Sequence, residues 1–336
     1  MIVDFHAHLY PRVFMEELAR VGGPHGVGLE RDARGLEGLR FEGLFFWVYE
    51  PSFWDVEARI ADLDQAGVDL QVLSMGPPMV YWAEPEVGLR LCEILNDEVA
   101  SVTARHPKRF VGLAALPLQD TRLALRELER ARSLGFVGVQ MGTNVHGKPL
   151  DHPDLWPLYE RIQAEDLPIF VHPINPPGQP AIHEYRLDIT VGFPFETTLA
   201  AARLVFSGVM ERFPGLDVCL AHLGGALPYL QERLDIGWQT RQAFAGQASL
   251  SRPPSDYFRR FYLDCLSYSD PALLCALALY GADHIVLGSD APFPVGDVQR
   301  SVDYIRNFPF ASAGDKEKML SGTAASLLKL GRSRVG

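Results

Sequence analysis

The stretch Met1-Ile2-Val3-Asp4-Phe5-His6-Ala7-His8 decides how the rest of the chain is interpreted. Its apolar residues predict a short buried strand that ends in two histidines. Residues two apart on a strand point the same way, so His6 and His8 can face one point in space. Two imidazoles held on rigid backbone form half of a metal site. The alternative at this stage is a pair of surface histidines near the start of the chain.

Size and charge narrow the class of protein. The chain has 336 residues and 47% hydrophobic content, which is ample for a large core. That length fits either two average domains or one α/β barrel. The net charge of -11 argues against nucleic acid and against an anionic membrane surface as partners. A small anionic substrate stays compatible with it, because a site can be locally positive.

Cysteine usage and hydropathy bear on the compartment. The four cysteines have no CxxC spacing, so we expect reduced thiols and a cytoplasmic protein. The first residues lack a basic region followed by an apolar run, so we expect no signal peptide. No apolar stretch approaches the ~18 residues of a membrane helix, so we expect no membrane span.

Strands and helices alternate along most of the chain. Most strands are almost wholly apolar, which is typical of parallel strands buried on both faces. The predicted strands are 2–8, 70–75, 110–116, 136–141, 168–172, 216–222, 261–265 and 284–290. The pattern predicts a (β/α)8 TIM barrel with residues 1–336 as one domain. A doubly wound open sheet is the alternative, weakened because no G-x-G-x-x-G follows the first strand.

Residues 9–54 interrupt this alternation. They are rich in glycine and then in aromatic residues, which need somewhere to be buried. A loop of this length is usually functional or has small strands of its own. We therefore expect an insertion over the barrel mouth.

Five polar residues fall at the carboxyl ends of predicted strands. They are His6, His8, His172, His222 and Asp290. Active sites of barrel enzymes are built at that face. A single histidine at a strand end is usually structural, but five such residues at one face favour a metal site.

Eight segments carry a resemblance to a known family. They are DFHAH at 4–8, YWA at 81–83, RFVGL at 109–113, GVQ at 138–140, FVHP at 170–173, FPFETT at 193–198, AHLGGA at 221–226 and GSDAPFP at 288–294. With them the chain resembles the amidohydrolase superfamily. Within it, the chain is most similar to the decarboxylase branch typified by α-amino-β-carboxymuconate-ε-semialdehyde decarboxylase. The resemblance covers essentially the whole chain.

The resemblance implies the roles of the strand-end residues. His6, His8, His172 and Asp290 would bind one divalent metal, zinc first and manganese as the alternative. His222 would stand beside the metal-bound water and, with Asp290, serve catalysis. A divalent ion lowers the pKa of bound water towards ~7, where an imidazole can move the proton. Binuclear relatives carry a lysine on strand four, and its absence here predicts one metal.

The implied activity is non-oxidative, metal-dependent decarboxylation of a small aromatic or muconate-type carboxylic acid. A hydrolase or hydratase that uses the same metal-bound hydroxide is the alternative, because fold does not fix function. A third hypothesis is a non-catalytic barrel that keeps a metal for stability. His222 argues against the third, because a structural site needs no spare base.

The resemblance also indicates candidate substrate-binding residues. Counting back without gaps from Trp54-Asp55, Trp47 stands where the branch has a carboxylate-binding arginine. Ile189 stands where it has a tryptophan. An indole does not replace a bidentate arginine, so a less charged substrate such as a hydroxybenzoate, stacked on Trp47, is the hypothesis. Trp82 and Phe293 are predicted to line the pocket, with core packing as the alternative.

Assembly is implied in the same way. The branch forms homodimers, and Arg233 stands where an arginine is lent to the neighbouring subunit's active site. The alternative for Arg233 is a solvated helix residue. Of the other histidines, His183 is predicted to come nearest the site, because its loop follows His172.

Overall fold

The computed structural model describes residues 1–41, 43–174, 184–240 and 250–331. His183 lies outside the described residues. Within them the chain divides into two compact units, 1–140 with 289–300, and 141–288 with 301 onward. The assignment of residues 1–336 to a single domain stays a prediction.

Across the described residues, eight parallel strands in chain order form a nearly closed barrel. Their bounds are Val3–His8 (β1), Leu70–Ser74 (β2), Phe110–Ala114 (β3), Gly138–Gly142 (β4), Ile169–His172 (β5), Val218–Leu220 (β6), Tyr262–Asp264 (β7) and Ile285–Val286 (β8). The strands are buried almost throughout, as parallel barrel strands must be. The predicted (β/α)8 fold class is confirmed.

Helices follow most of the strands. Their bounds are Arg12–Gly22, Val56–Ala66, Pro85–Arg105, Thr121–Ser133, Trp156–Ala164, Phe193–Phe206, Val209–Arg212, Leu227–Thr240, Pro254–Phe258, Asp270–Tyr280, Val298–Asn307, Ala313–Glu317 and Thr323–Leu327. Asp55 caps the second of them by accepting a hydrogen bond from the Ala58 amide at 3.1 Å. Gly67 ends the same helix in the left-handed conformation that glycine tolerates best.

In the first unit, the segment that follows β8 pairs with β1. The amides of Ser289 and Asp290 donate to the His6 carbonyl at 3.1 and 2.8 Å, and the His8 amide donates to the Ala291 carbonyl at 2.8 Å. The predicted strand 284–290 was therefore too long, because β8 ends at Val286. Asp290 has a positive φ of 56°, which turns the backbone out of the extended conformation.

Residues 9–54 have structure of their own. After the first helix comes a three-stranded antiparallel sheet formed by Gly28–Arg31, Glu37–Phe41 and Leu44–Val48. Its last strand carries Trp47, whose ring stacks on Phe53 with centroids 4.4 Å apart. Small strands within this stretch were one of the two expectations; its place over the barrel mouth stays a prediction.

In the second unit, side chains alternate along each barrel strand between the outer face and the interior. Met141, Ile169 and Val171 line a small apolar void with residues of the surrounding helices. These side chains therefore point outward. Because neighbours on a strand point to opposite faces, His172, next to Val171, faces the barrel interior.

One expectation about hydropathy was wrong. The helical stretch Glu184–Phe206 is, by length and composition alone, apolar enough to cross a membrane. It also carries Glu196 and Arg203, and Arg203 makes two hydrogen bonds of 2.8 and 3.0 Å to Asp151. Part of the stretch is buried inside the second unit, to which it belongs, as a core helix of a globular protein would be.

Candidate metal centre and active site

Three of the predicted ligands meet at the end of β1. The Nε2 atoms of His6 and His8 lie 3.0 Å apart, and each lies 3.2 Å from Oδ1 of Asp290. Both histidines are fully buried and Asp290 is nearly so. The two histidines share one side of the strand, as their spacing predicted.

His172 completes a group of four. One ligand atom from each of His6, His8, His172 and Asp290 lies within 4.8 Å of the others. Metal–nitrogen and metal–oxygen bonds of about 2.1 Å place neighbouring ligand atoms about 3.0–3.4 Å apart. Three imidazoles and one carboxylate are also a donor set that divalent zinc and manganese accept. The ligand atoms of His6, His8 and Asp290 already stand at such distances, and the donor set of the four residues suits a single divalent ion.

Hydrogen bonds fix which ring nitrogen faces the centre. Nδ1 of His172 lies 2.9 Å from the Pro173 carbonyl, which only accepts, so this nitrogen carries the proton. Ser74 Oγ donates to the Ala7 carbonyl at 2.9 Å and therefore accepts from Nδ1 of His8 at 3.2 Å. In both rings Nε2 is therefore the nitrogen without a proton, which is the form that can ligate a metal.

His222 follows β6 and lies beside His172. Its ring centroid is 5.3 Å from that of His172, and the two planes are 74° apart. Its backbone has a positive φ of 55°, which is unfavourable for a residue other than glycine. The neighbouring residue Leu223 shares this conformation.

Asp264, which the sequence analysis missed, supports that backbone. It is fully buried at the end of β7. Its Oδ2 accepts the His222 amide at 2.9 Å, and its Oδ1 accepts the amides of Leu223 and Leu266, each at 2.9 Å. Its position in the sequence could have indicated it, because Asp264 ends a barrel strand just as His172 does.

Comparison with known proteins places this centre in a family. The model of the amidohydrolase family (Amidohydro_2) matches residues 3–330. The chain belongs to the amidohydrolase family. It is 35% identical over 332 residues to 2-amino-3-carboxymuconate-6-semialdehyde decarboxylase of Dictyostelium discoideum, covering 98% of this chain and 91% of that protein.

Solved structures agree with this assignment. A 5-carboxyvanillate decarboxylase from Sphingomonas paucimobilis superposes with a TM-score of 0.85 at 28% identity, covering 98% of both chains. A dihydroxybenzoic acid decarboxylase from Polaromonas sp. JS666, solved with manganese and the inhibitor 2-nitroresorcinol, gives a TM-score of 0.82 at 29% identity, covering 99% of this chain and 98% of the other. This amidohydrolase is a metal-dependent carboxy-lyase.

Of the predicted substrate residues of this amidohydrolase, Phe293 packs on His8, and Trp47 packs on Phe293. The Phe293 ring centroid is 5.1 Å from that of His8 and 5.8 Å from that of Trp47. Tyr10 and Phe53 pack on the same ring at 6.0 and 5.7 Å. The aromatic cluster formed by these four aromatic residues therefore reaches one metal ligand. Trp47 is only 5% exposed within it.

The other predicted substrate residues have different surroundings. Trp82 packs against His25 with centroids 5.4 Å apart, and its indole N–H donates to the Met79 carbonyl at 2.9 Å. Ile189 is half-buried in the π-helical turn Asp188–Gly192 of the second unit. Arg233 is exposed on the helix Leu227–Thr240. Their roles toward a substrate stay predictions.

Gln140 is a second residue whose own role the sequence analysis missed. Only the absence of a lysine on β4 was noted. Gln140 is 2% exposed, and neither its Oε1 nor its Nε2 has a hydrogen-bond partner among the described residues. A buried amide left unpaired is unfavourable, so a bound molecule that pairs with it would be favoured.

Proposed function

We propose that this amidohydrolase decarboxylates a small aromatic carboxylic acid without oxidation, using one divalent metal ion. Zinc is the proposed metal, with manganese as the alternative. The observation that carries the proposal is the buried group of His6, His8, His172 and Asp290, together with a further imidazole, His222, that lies against His172. Relatives that are named decarboxylases support the reaction class.

The four ligands would hold the metal, and the remaining residues would act on the substrate. The bound metal supplies positive charge that stabilises the developing negative charge of the reaction. His222 delivers a proton to the carbon that bears the carboxylate, which becomes tetrahedral. The bond to the carboxylate then breaks, its electron pair returns to the ring, and CO2 leaves. One proton replaces one carboxylate, so the reaction needs no oxidant.

The substrate class follows from the aromatic cluster. Trp47 stands where the resemblance places a carboxylate-binding arginine, and its neighbours are Tyr10, Phe53 and Phe293. Such surroundings favour a flat, weakly charged ring over a second carboxylate. We therefore propose hydroxybenzoate-type acids as substrates, and the aminocarboxymuconate semialdehyde as the disfavoured competitor.

A homodimer is part of the proposal. On the helix Leu227–Thr240, residues Tyr229, Arg233 and Ile236 are spaced four and three apart and so share one face. Tyr229 is 84% exposed and Ile236 is 54% exposed, so two large side chains are available on this face beside Arg233. We propose that a second copy of the chain covers this face and receives Arg233.

The proposal also includes a cytoplasmic location. Cys92, Cys219, Cys265 and Cys275 form no disulfide, which suits a reducing compartment.

Release of CO2 from a panel of acids tests the proposal. The purified enzyme, loaded with zinc or with manganese, is offered hydroxybenzoates and the muconate semialdehyde. We expect CO2 in equal amount to the decarboxylated ring product from at least one hydroxybenzoate. Efficient turnover of the semialdehyde alone would overturn the proposed substrate class.

A further inference from the structure

A chain of four buried polar side chains runs behind the ligands of β1. Its members are Arg59, Gln71, Asp4 and Ser289, and none is more than 6% exposed. They come from the helix after Asp55, from β2, from β1 and from the segment that follows β8. No step of the proposed reaction uses any of them.

The Asp4 carboxylate joins Gln71 to Ser289, which is one end of this buried chain. Its Oδ2 accepts the Ser289 hydroxyl at 2.6 Å and the Gln71 amide at 2.7 Å. Its Oδ1 accepts the backbone amides of Ser289 and His6 at 3.0 and 3.3 Å. Ser289 immediately precedes the ligand Asp290, and its own amide and that of Asp290 donate to the His6 carbonyl. Asp4 therefore fixes the backbone of two ligands.

The Arg59 guanidinium forms the other end. Nη1 donates to Oε1 of Gln71 at 2.9 Å, and Nη2 donates to the carbonyls of His8 and Ser52 at 2.7 and 3.1 Å. A planar guanidinium can reach three acceptors at once, which an ammonium group does less well. Arg59 has no direct carboxylate partner among the described residues, and burial lowers its pKa to about 10. Burying a cation is unfavourable unless hydrogen bonds or ion pairs compensate for the lost water, so these three hydrogen bonds are needed to keep Arg59 buried.

We propose that Arg59 is a positioning residue for metal binding. It holds His8 directly, and through Gln71 and Asp4 it holds His6 and Asp290, so that the three ligand atoms stand 3.0–3.2 Å apart before the metal arrives. Groups that orient metal ligands change metal affinity by about 10- to 100-fold. This inference rests on the proposed metal-dependent function.

Metal affinity tests it directly. Zinc binding to the full chain is measured by competition with a chromophoric chelator, and ligand geometry by the visible absorption of the cobalt-loaded protein. We expect Arg59→Met to weaken zinc binding about 10- to 100-fold and to alter the cobalt bands. Arg59→Lys, which keeps the charge but not the fork of donors, should weaken binding less.

Arg109→Met is the matched control. Arg109 lies in the same unit and also donates to backbone carbonyls, those of Asp69 and Val68 at 3.1 and 3.0 Å. These lie before β2, at the opposite end from Ser74, which contacts His8. We expect this variant to bind zinc as the parent does. Equal zinc affinity in Arg59→Met and Arg109→Met would overturn the inference.

A double-mutant cycle tests whether the four buried side chains act as one connected hydrogen-bond network or as two independent groups. Ser289→Ala removes the hydroxyl at the far end. If the four buried side chains act as a unit, the double variant Arg59→Met, Ser289→Ala weakens zinc binding by less than the product of the two single effects. Full multiplication would overturn the inference. If Arg59→Met does not fold, the same cycle is run with Arg59→Lys.

The outcomes also distinguish this inference from the proposed function. A parent protein that binds one zinc but releases no CO2 would overturn the function and leave the role of Arg59 standing. An active parent whose Arg59→Met variant keeps full zinc affinity would overturn the role of Arg59 alone.

Discussion

Asp264 accepts the backbone amide of His222 at 2.9 Å through a carboxylate that is fully buried. The contact holds the proposed proton donor in a backbone conformation with φ of 55°. Such a conformation persists only where surrounding contacts enforce it. The geometry of His222 therefore depends on a residue of the next strand.

Asp264→Asn should lower kcat without removing the metal. The amide presents an N–H2 group where the carboxylate offers acceptors, so one of the three backbone amides that it holds loses its partner. We expect kcat to fall about 10- to 100-fold with metal content unchanged. Steady-state kinetics and metal analysis on the same sample measure both. Asp283→Asn, at an exposed position of the same unit, is the control. A loss of metal equal to the loss of activity would contradict the prediction.

Gln140→Leu should separate stability from activity. Removing a buried amide that has no described partner should stabilise the protein by about 1 kcal/mol. If the amide pairs with substrate, kcat/KM should fall about tenfold or more. Thermal unfolding and kinetics measure the two effects. In the control Gln119→Leu, the lost amide donates to the Val80 and Ala83 carbonyls at 2.7 and 3.0 Å, so stability should fall. A destabilised Gln140→Leu variant with normal kinetics would show a structural amide.

Glu196→Gln should change how stability depends on pH. Burial raises the pKa of Glu196 above its ordinary 4.5, against hydrogen bonds from Asn144 and Thr143 that lower it. The folded state then holds this proton more tightly than the unfolded state. The resulting stabilisation is complete below pH 4.5 and is lost as pH rises through the folded pKa. The variant lacks this loss, so its stability relative to the parent should rise as pH increases above 4.5 and level off once pH exceeds the raised pKa of Glu196.

Urea unfolding midpoints across that pH range measure the effect. Glu160→Gln, an exposed glutamate on a neighbouring helix of the same unit, is the control and should follow the parent. A constant offset between parent and Glu196→Gln at every pH would show that the raised pKa has no influence on stability.

Mixed dimers should test whether Arg233 acts across the interface. His222→Asn and Arg233→Ala are each expected to be inactive. In a mixed dimer, one site has His222 on one chain and Arg233 from its partner, so that site is intact. Random exchange of subunits should restore about a quarter of parental activity. Activity that never exceeds that of the separate variants would contradict the shared site.

The fold and the placement of polar residues at strand ends were predictable because both follow from periodic patterns, whereas the choice of metal ligands among them came from the family resemblance. Runs of buried apolar residues indicate parallel strands, and polar residues at their carboxyl ends indicate a site. Asp264 obeys the same rule but was missed, because it acts on the backbone of His222 and not on the metal. Contacts such as that from Arg59 to the His8 carbonyl could not be predicted, because residues 51 apart in sequence meet only in the folded barrel.

Titrating activity with metal shows whether decarboxylation requires one divalent ion per chain. The metal-free protein is reconstituted with increasing zinc or manganese, and the rate of CO2 release from the preferred hydroxybenzoate is measured at each addition. We expect no CO2 without metal and a linear rise in rate that ends at one equivalent of metal per chain. Full activity in the metal-free protein, or a rise that continues to two equivalents, would contradict this expectation.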